Sequence, residues 1–465
     1  MKKTLYLICL IGLLCCLPQT GSADVVTVTV KPGETTGAIR PLHGVNSPPT
    51  RRIVKWFEAA GIPFMRGHDT EETPGTYGYH SFDVAAIFGD FSADVNDPAA
   101  YDFNSTDELI GRTLSAGTKV FFRLGETIEH GTKKYDIYPP KDYLKWAQIC
   151  EHIIRHYNEG WAEGFRYGIE YWEIWNEADA DKNGRWKENP RTWGGPEEEF
   201  YAFYATVSKH LKKCFPHLKI GGPAMANPTD EKWLNGFLST AAKAKAPIDF
   251  FSWHAYRSKP ELVVECSDIV DKALKRYGYG DAETILSEWN YVIQWKGETF
   301  YESAQARYSG KGAAYIASTL ISCQNSTSLQ KMMYYEFRPD WNKYCQAFDW
   351  MTNRPIAGYY PFYIWNKLSQ YGTTVRVEEN DPEIYAVAAK GPSGKLRIFI
   401  CRYTDDSNEV YSSEVRIKIE GMSGEDATVH LTDTHYLYTE WPPTIDNDGA
   451  VHILLEPRSF ALIEL

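Results

Sequence analysis

Apolar positions along this chain fall into two regimes, with the change near Gly372. Before it, short apolar runs alternate with segments whose apolar residues recur every three or four positions. After it, apolar and polar residues alternate one by one. The first regime predicts strands at Ile39–Asn46, Pro63–Asp69, Lys119–Gly125, Tyr171–Glu177, Leu218–Ala224, Asp249–Tyr256, Thr284–Glu288 and Lys331–Phe337. Helical spacing separates them. Arg52–Ala60 is a first helix, and Lys141–Tyr157 places Leu144, Ala147, Cys150, Ile154 and Tyr157 on one face. Another helix carries Phe200, Phe203, Tyr204, Val207 and Leu211, and the rest fall near 231–244, 260–277, 303–324 and 356–369. Strand–helix pairs in that number predict an α/β fold, a closed (β/α)8 TIM barrel over residues 39–371. The second regime, residues 372–465, predicts short strands broken by Gly-Pro, Ser-Gly and Asn-Asp-Gly, a C-terminal antiparallel β-sandwich. Residues 24–38 alternate Val and Thr and turn at Pro32-Gly33. They have no place in the barrel and are expected to join the sandwich.

The amino end changes the picture of where the protein works. Lys2 and Lys3, an apolar run from Leu5 to Leu17, and then Pro18, Gly21, Ser22 and Ala23 have the form of a secretory signal peptide, residues 1–23. A secreted or periplasmic location follows. Lipid attachment at Cys15 or Cys16 is the lesser alternative, since neither follows a small residue. No later run reaches the roughly 18 apolar residues of a membrane span, so no transmembrane segment is predicted. Loss of Lys2 and Lys3 takes the formal net charge from −12 to −14. Such an acidic protein repels polyanions, which argues against nucleic acid as a partner. Six of the nine cysteines lie beyond the leader, scattered and without Cys-x-x-Cys spacing, so a zinc site is not indicated. The 15 Trp and 31 Tyr exceed ordinary core needs and suit carbohydrate-stacking surfaces.

The chemistry is carried by two strand ends. Tyr171-Trp-Glu-Ile-Trp-Asn-Glu177 runs apolar and then stops on a carboxylate, and Thr284-Ile-Leu-Ser-Glu288 repeats the design. Carboxyl-terminal strand ends form the active face of such a barrel, and Glu177 on the fourth strand and Glu288 on the seventh would face each other across its mouth. Two carboxyls about 5 Å apart suit retaining cleavage of a glycosidic bond. Strand alternation poses a difficulty: with Glu177 inward, Asn176 points outward unless the strand end is kinked, and Glu173 lies deep in the barrel. Arg66 and Arg123 are the obvious partners for Glu173, and all three are read as structural.

The loop after Glu177 offers Asp179, Asp181, Asn183 and Gly184 in the order of a calcium loop, but Pro190 stands where the closing Glu belongs. No metal and no cofactor is therefore predicted. Trp186, Trp193, Trp295 and Trp341 are candidate sugar platforms. Asn104 and Asn325 each begin an Asn-Ser-Thr acceptor sequence.

The Trp-Asn-Glu of the fourth strand and the Ser-Glu-Trp-Asn of the seventh resemble clan A glycoside hydrolases. Further stretches narrow the resemblance to family 39, the β-xylosidases and α-L-iduronidases. They are Met-Arg-Gly-His-Asp at 65–69, Ile-Gly-Gly-Pro-Ala at 220–224, Asp-Phe-Phe-Ser-Trp-His-Ala-Tyr at 249–256, and Trp193-Gly194-Gly195. The resemblance implies that Glu177 is the general acid/base and Glu288 the nucleophile. It also implies that Asn176 binds the hydroxyl beside the reacting carbon and that His254 and Tyr256 flank the nucleophile. His68 and Asp69 at the second strand tip, with Trp289 and Trp341, complete the candidate substrate contacts. Ala178 stands where the family has Pro. The expected activity is hydrolysis of a β-xyloside or similar plant-type glycoside. Alternatives are an arabinoside, galactoside, glucoside or iduronide, or a barrel that binds carbohydrate without cutting it. A uronate would call on Arg257, Lys259 or Arg338.

Overall fold

A computed structural model describes residues 25–68, 70, 80–339 and 344–465. The leader, Asp69 and Trp341 lie outside the described residues. Strand β1 spans Val26–Ala38. The eight barrel strands are β2 Gly44–Asn46, β3 Phe64–Gly67, β4 Lys119–Leu124, β5 Tyr171–Ile174, β6 Lys219–Met225, β7 Phe250–Arg257, β8 Glu283–Tyr291 and β9 Lys331–Tyr334. They pair in sequence order, all parallel, and β9 closes on β2. Each barrel position expected from the sequence holds a strand.

Alternation along these strands stacks the barrel interior in layers. The floor is apolar: Phe64, Phe121, Tyr171, Phe250, Ile285 and Met333 pack together on six different strands. Two residues further along, the inward positions are Arg66, Arg123, Glu173 and Ser252, all fully buried. One step higher stand His68, His254 and Glu288. The apolar floor shuts the lower end, so the charged layer is desolvated and opens only toward the carboxyl-terminal face.

The remaining strands are β10 Thr373–Glu379, β11 Ile384–Lys390, β12 Leu396–Arg402, β13 Ser413–Ile419, β14 Thr428–Thr432, β15 Thr439–Trp441, β16 Thr444–Ile445, β17 Val451–Leu455 and β18 Ser459–Glu464. With β1 they form one ten-stranded sheet in the order β15-β14-β18-β12-β11-β10-β1-β13-β17-β16. Its inner face curls on a core of Val28, Val30, Ile398, Ile400, Ile417 and Ile453 among others, which makes the sandwich. The alternate residues Val387, Ala389, Phe399, Cys401 and Leu462 belong to the barrel's core cluster. The pairing is not wholly antiparallel: β1 runs parallel to β13. No hairpin constrains these two strands, because the whole barrel lies between them.

Two helices differ from expectation. The segment expected as one helix over 303–324 is two, Glu298–Arg307 and Gly310–Ser326. Ser309 divides them, its hydroxyl accepting from the Lys311 N–H at 3.2 Å as an N-cap. Helix Asn104–Ser115 was not anticipated. The six cysteines among the described residues are all free thiols. No helix among the described residues is long and apolar enough to cross a membrane.

Candidate active site

The end of β5 is bent. Ile174 is its last strand residue, after which Trp175 (φ 73°) and Glu177 (φ 50°) both adopt left-handed backbone. These turns resolve the alternation difficulty: Asn176 and Glu177 both reach the interior although they are adjacent. The bend needs room that only glycine leaves, since a Cβ on Gly125 of the neighbouring loop would lie 2.8 Å from the Trp175 Cα. The Trp175 indole fills the space behind, with Nε1 donating to the Thr192 carbonyl at 2.8 Å.

A bulge aims the second carboxylate. In the β7–β8 register Trp253 pairs with Leu286 but His254 pairs with Glu288, so Ser287 is the extra residue. Without it, alternation would turn Ser287 inward and Glu288 out. With it, Glu288 stands beside His254, and Tyr256 follows two positions on along the same face of β7. The Tyr256 hydroxyl donates to Glu288 Oε2 at 2.6 Å. His254 Nδ1 lies 2.7 Å from Glu177 Oε1 and 3.6 Å from Glu288 Oε2. A carboxylate oxygen of each glutamate and a ring nitrogen of His254 all lie within 4.8 Å of one another. That is the carboxyl separation suited to a nucleophile and an acid flanking one bond.

Arg66 ties the charged layer to the site. Its guanidinium donates to Glu173 Oε2 at 2.6 Å, Glu288 Oε1 at 2.7 Å, Asn176 Oδ1 at 2.8 Å and Asn46 Oδ1 at 3.1 Å. Asn46 in turn donates to the backbone carbonyls of Ser287 and Met333. The structural reading of Arg66 is thus half right, since it neutralises Glu173 and also grips Glu288. Arg123 does not pair with Glu173. It bonds Asp83 at 2.6 Å, and its Nε donates to His68 Nδ1 at 3.2 Å. A guanidinium only donates, so His68 carries its proton on Nε2, which stands 3.4 Å from Glu288 Oε1. Sequence reasoning missed this chain from Asp83 to Glu288. Its one legible trace was the inward alternation of Phe64, Arg66 and His68.

Burial pushes the Glu288 carboxyl up, and Glu177 adds to the push; His254, Arg66 and the Tyr256 hydroxyl pull it down. Arg66, Tyr256 and His68 are directed at the two oxygens of Glu288 and favour its ionised form, against the burial that leaves the carboxyl above its usual value. Burial lowers His254 and so favours the neutral imidazole, while the Glu288 carboxylate pulls the other way. Burial also pushes the Tyr256 hydroxyl up, so it remains a donor.

Of the predicted site residues, the structure brings together Glu177, Glu288, Asn176, His254, Tyr256 and His68. Trp289 is a correction. As the residue after Glu288 it points out of the barrel, fully buried, edge-on to Tyr334 at 5.1 Å and against Tyr315 at 6.2 Å. Trp193 is likewise packing, wedged between Trp175, Phe200 and Phe203. The Asp179 and Asp181 carboxylates are turned apart and engaged with backbone N–H groups. Asp179 accepts from Ala226 and Asn227, and Asp181 Oδ2 from Arg191, Thr192 and Trp193. They do not converge as ligands of one cation. Burial pushes the Asp179 carboxyl up to about 6. Two of the three cations considered for a uronate have internal partners, Arg257 bonding Asn227 and Arg338 pairing with Glu336.

The family model described as Glycosyl hydrolases family 39 matches residues 75–293. A β-xylosidase of Geobacillus stearothermophilus is 30% identical over 215 residues, which are 43% of this chain and 38% of that protein. A β-xylosidase of Caldicellulosiruptor saccharolyticus is 24% identical over 355 residues, 70% of this chain and 68% of its own length. Among solved structures, a glucosidase from Croceicoccus marinus superposes with a TM-score of 0.73 at 22% identity, covering 95% of this chain and 98% of that one. The first β-xylosidase is thus matched over well under half its length, while the glucosidase shares the fold nearly end to end. The stretch that matches glycosyl hydrolases family 39, residues 75–293, contains both strand-end glutamates, Glu177 and Glu288, and in it this chain is similar to that family.

Proposed function

We propose that the protein is a retaining glycoside hydrolase that cleaves a β-xyloside or similar glycoside by double displacement. The observation that carries this reading is the approach of the Glu177 and Glu288 carboxylates to within 4.8 Å in a cleft floored by apolar residues. Glu288, held charged by Arg66 and oriented by Tyr256, attacks the anomeric carbon. Glu177 gives its proton to the departing oxygen and then takes one from the incoming water, which breaks the glycosyl–Glu288 bond. Neutral His254 suits both halves of that cycle: Nδ1 accepts from a protonated Glu177 and, as the other tautomer, donates to an ionised one. The Asn176 Nδ2 is buried with no hydrogen-bond partner among the described residues, and a sugar hydroxyl would supply one.

The xyloside reading rests on the two β-xylosidases named above, and the Croceicoccus glucosidase keeps a glucoside beside it. Secretion to the periplasm or beyond is part of the proposal, from the leader-like residues 1–23. A panel of aryl glycosides tests it. Turnover by the wild type with retained anomeric configuration is expected, with a loss of several orders of magnitude for Glu288→Gln. Glu177→Ala should regain rate with azide on an activated substrate. Inverted product, or no turnover across the panel, refutes the reading.

A further inference from the structure

The loop leaving β8 and the helix Glu298–Arg307 carry aromatic rings that double displacement does not use, and they extend a row outward from the site. The row begins at Tyr256, the hydrogen-bond donor to Glu288. Trp295 stands edge-on to Tyr256 with ring centres 5.0 Å apart at 67°. Phe300 lies nearly parallel to Trp295 at 5.8 Å and 28°, and Tyr301 follows at 6.2 Å. Across from them, Tyr335 is 6.5 Å from Tyr256, and Tyr344 is 5.4 Å from Tyr335. The row thus starts at the nucleophile's own partner and ends in solvent, where Trp295 is 52% exposed and Tyr301 67%.

This wall is anchored. Buried Arg307 lays its guanidinium over Phe300 at 5.7 Å and Tyr344 at 4.9 Å, while Nη1 donates to the Tyr291 carbonyl of β8 at 2.7 Å. A contiguous apolar surface held rigid at the rim of a cleft is a binding surface rather than an accident of composition. Its occupant follows from the chemistry. A pyranose has a face of C–H groups and a rim of hydroxyls, so it can cover an indole while its hydroxyls stay in water. Lower down, around Glu177 and Glu288, the polar side chains Arg66, His68, Asn176 and His254 are all buried. A tryptophan half open to solvent is therefore placed for the next ring along.

We propose that Trp295, backed by Phe300, is the platform for a second sugar ring of an oligosaccharide, adjacent to the ring whose bond is cleaved. The proposal rests on the hydrolase reading above and deepens it: the enzyme acts preferentially on oligosaccharides over simple glycosides. The test compares Trp295→Ala and Trp295→Phe with the wild type on xylotriose and on trifluoroethyl β-xyloside, which has no second ring. The expected result is a loss in kcat/KM of about tenfold or more on xylotriose for the alanine variant. The trifluoroethyl glycoside should be cleaved at an unchanged rate, and phenylalanine should restore most of the xylotriose loss. Nitrophenyl xyloside and nitrophenyl xylobioside separate the two sides of the broken bond. Loss already on the first puts the platform under the leaving group, and loss only on the second puts it under the retained chain.

Equal loss on xylotriose and the trifluoroethyl glycoside, or no loss on either, overturns the proposal. So does a shift from dimer to monomer in sedimentation with kinetics unchanged, which would make the wall a contact between copies of this chain. If the wild type cleaves none of these substrates, the hydrolase reading fails on its own terms. Calorimetric titration with xylotriose then still reads the platform: about tenfold weaker binding by Trp295→Ala is expected, and equal or absent binding overturns it.

Discussion

Arg66 does two things at once, and a pair of substitutions separates them. Its guanidinium is fully buried and divides its donors between Glu173 at 2.6 Å and Glu288 at 2.7 Å. Arg66→Met leaves Glu173 buried below the site, where among the described residues one oxygen has no hydrogen-bond partner and the other loses its only cation. Breaking a buried pair from one side costs about 3–5 kcal/mol. The expected result is a large fall in the thermal unfolding midpoint. Adding Glu173→Met removes the stranded charge and should recover most of that fall, because an apolar pair of similar volume is about as stable as the ion pair. Activity should not recover. Glu288 has still lost a charge-assisted bond worth about 1.5–3 kcal/mol, which corresponds to a drop of about 10- to 150-fold in kcat. The assay is the unfolding midpoint of the three proteins at one pH, alongside initial rates on an activated aryl glycoside. A double variant as unstable as the single one would refute the charge argument. A double variant that is both stable and fully active would show that Glu288 needs no cation.

Three other outcomes follow from particular contacts. Tyr256→Phe removes the 2.6 Å donor to Glu288, so kcat/KM should fall about 10- to 100-fold. Because the donor favours the ionised carboxylate, the acid limb of the pH profile should move to higher pH, and an unmoved limb would count against that role. Asp181→Ala strips the acceptor from three backbone N–H groups at 2.6 to 3.0 Å. Destabilisation of about 1–3 kcal/mol is expected, whereas a chelator should leave the wild-type midpoint in place. In the sandwich, the hydrogen bonds that His452 donates to the Asp446 and Glu414 carboxylates raise it. That contribution is fully present below the unfolded imidazole value of about 6.5 and is lost as pH rises through the folded one. The midpoint gap between wild type and His452→Gln should therefore be wider at pH 5 than at pH 9, and a gap that does not change with pH would refute it.

The barrel was legible because its strands are buried on both faces and its helices, Gly310–Ser326 apart, on one, a difference that periodicity records directly. Glu177 and Glu288 were legible because each closes an apolar run with a carboxylate. The structural reading of Arg66 missed its second partner, since nothing in the sequence tells an arginine that neutralises a deep glutamate from one that also reaches the next layer. Trp289 was open to exclusion: if Glu288 faces inward, its neighbour must face the surrounding helices. The opposite lesson comes from Asn176, where alternation alone would have removed a residue that two left-handed backbone turns bring inside. Bulges and left-handed turns leave no periodic trace, and both sit where the site is.

Strand β1 lies between β10 and β13 and, among the described residues, is the sole strand that pairs with both the six-strand and the three-strand side of the sheet. During synthesis the ribosome releases this Val-Thr ribbon first and its two neighbours only after the entire barrel. For that interval it is a bare, sticky edge of the kind that recruits other nascent chains. Clipping it from the finished protein would split the sheet into two fragments, and supplying the peptide in trans would be the way to rejoin them.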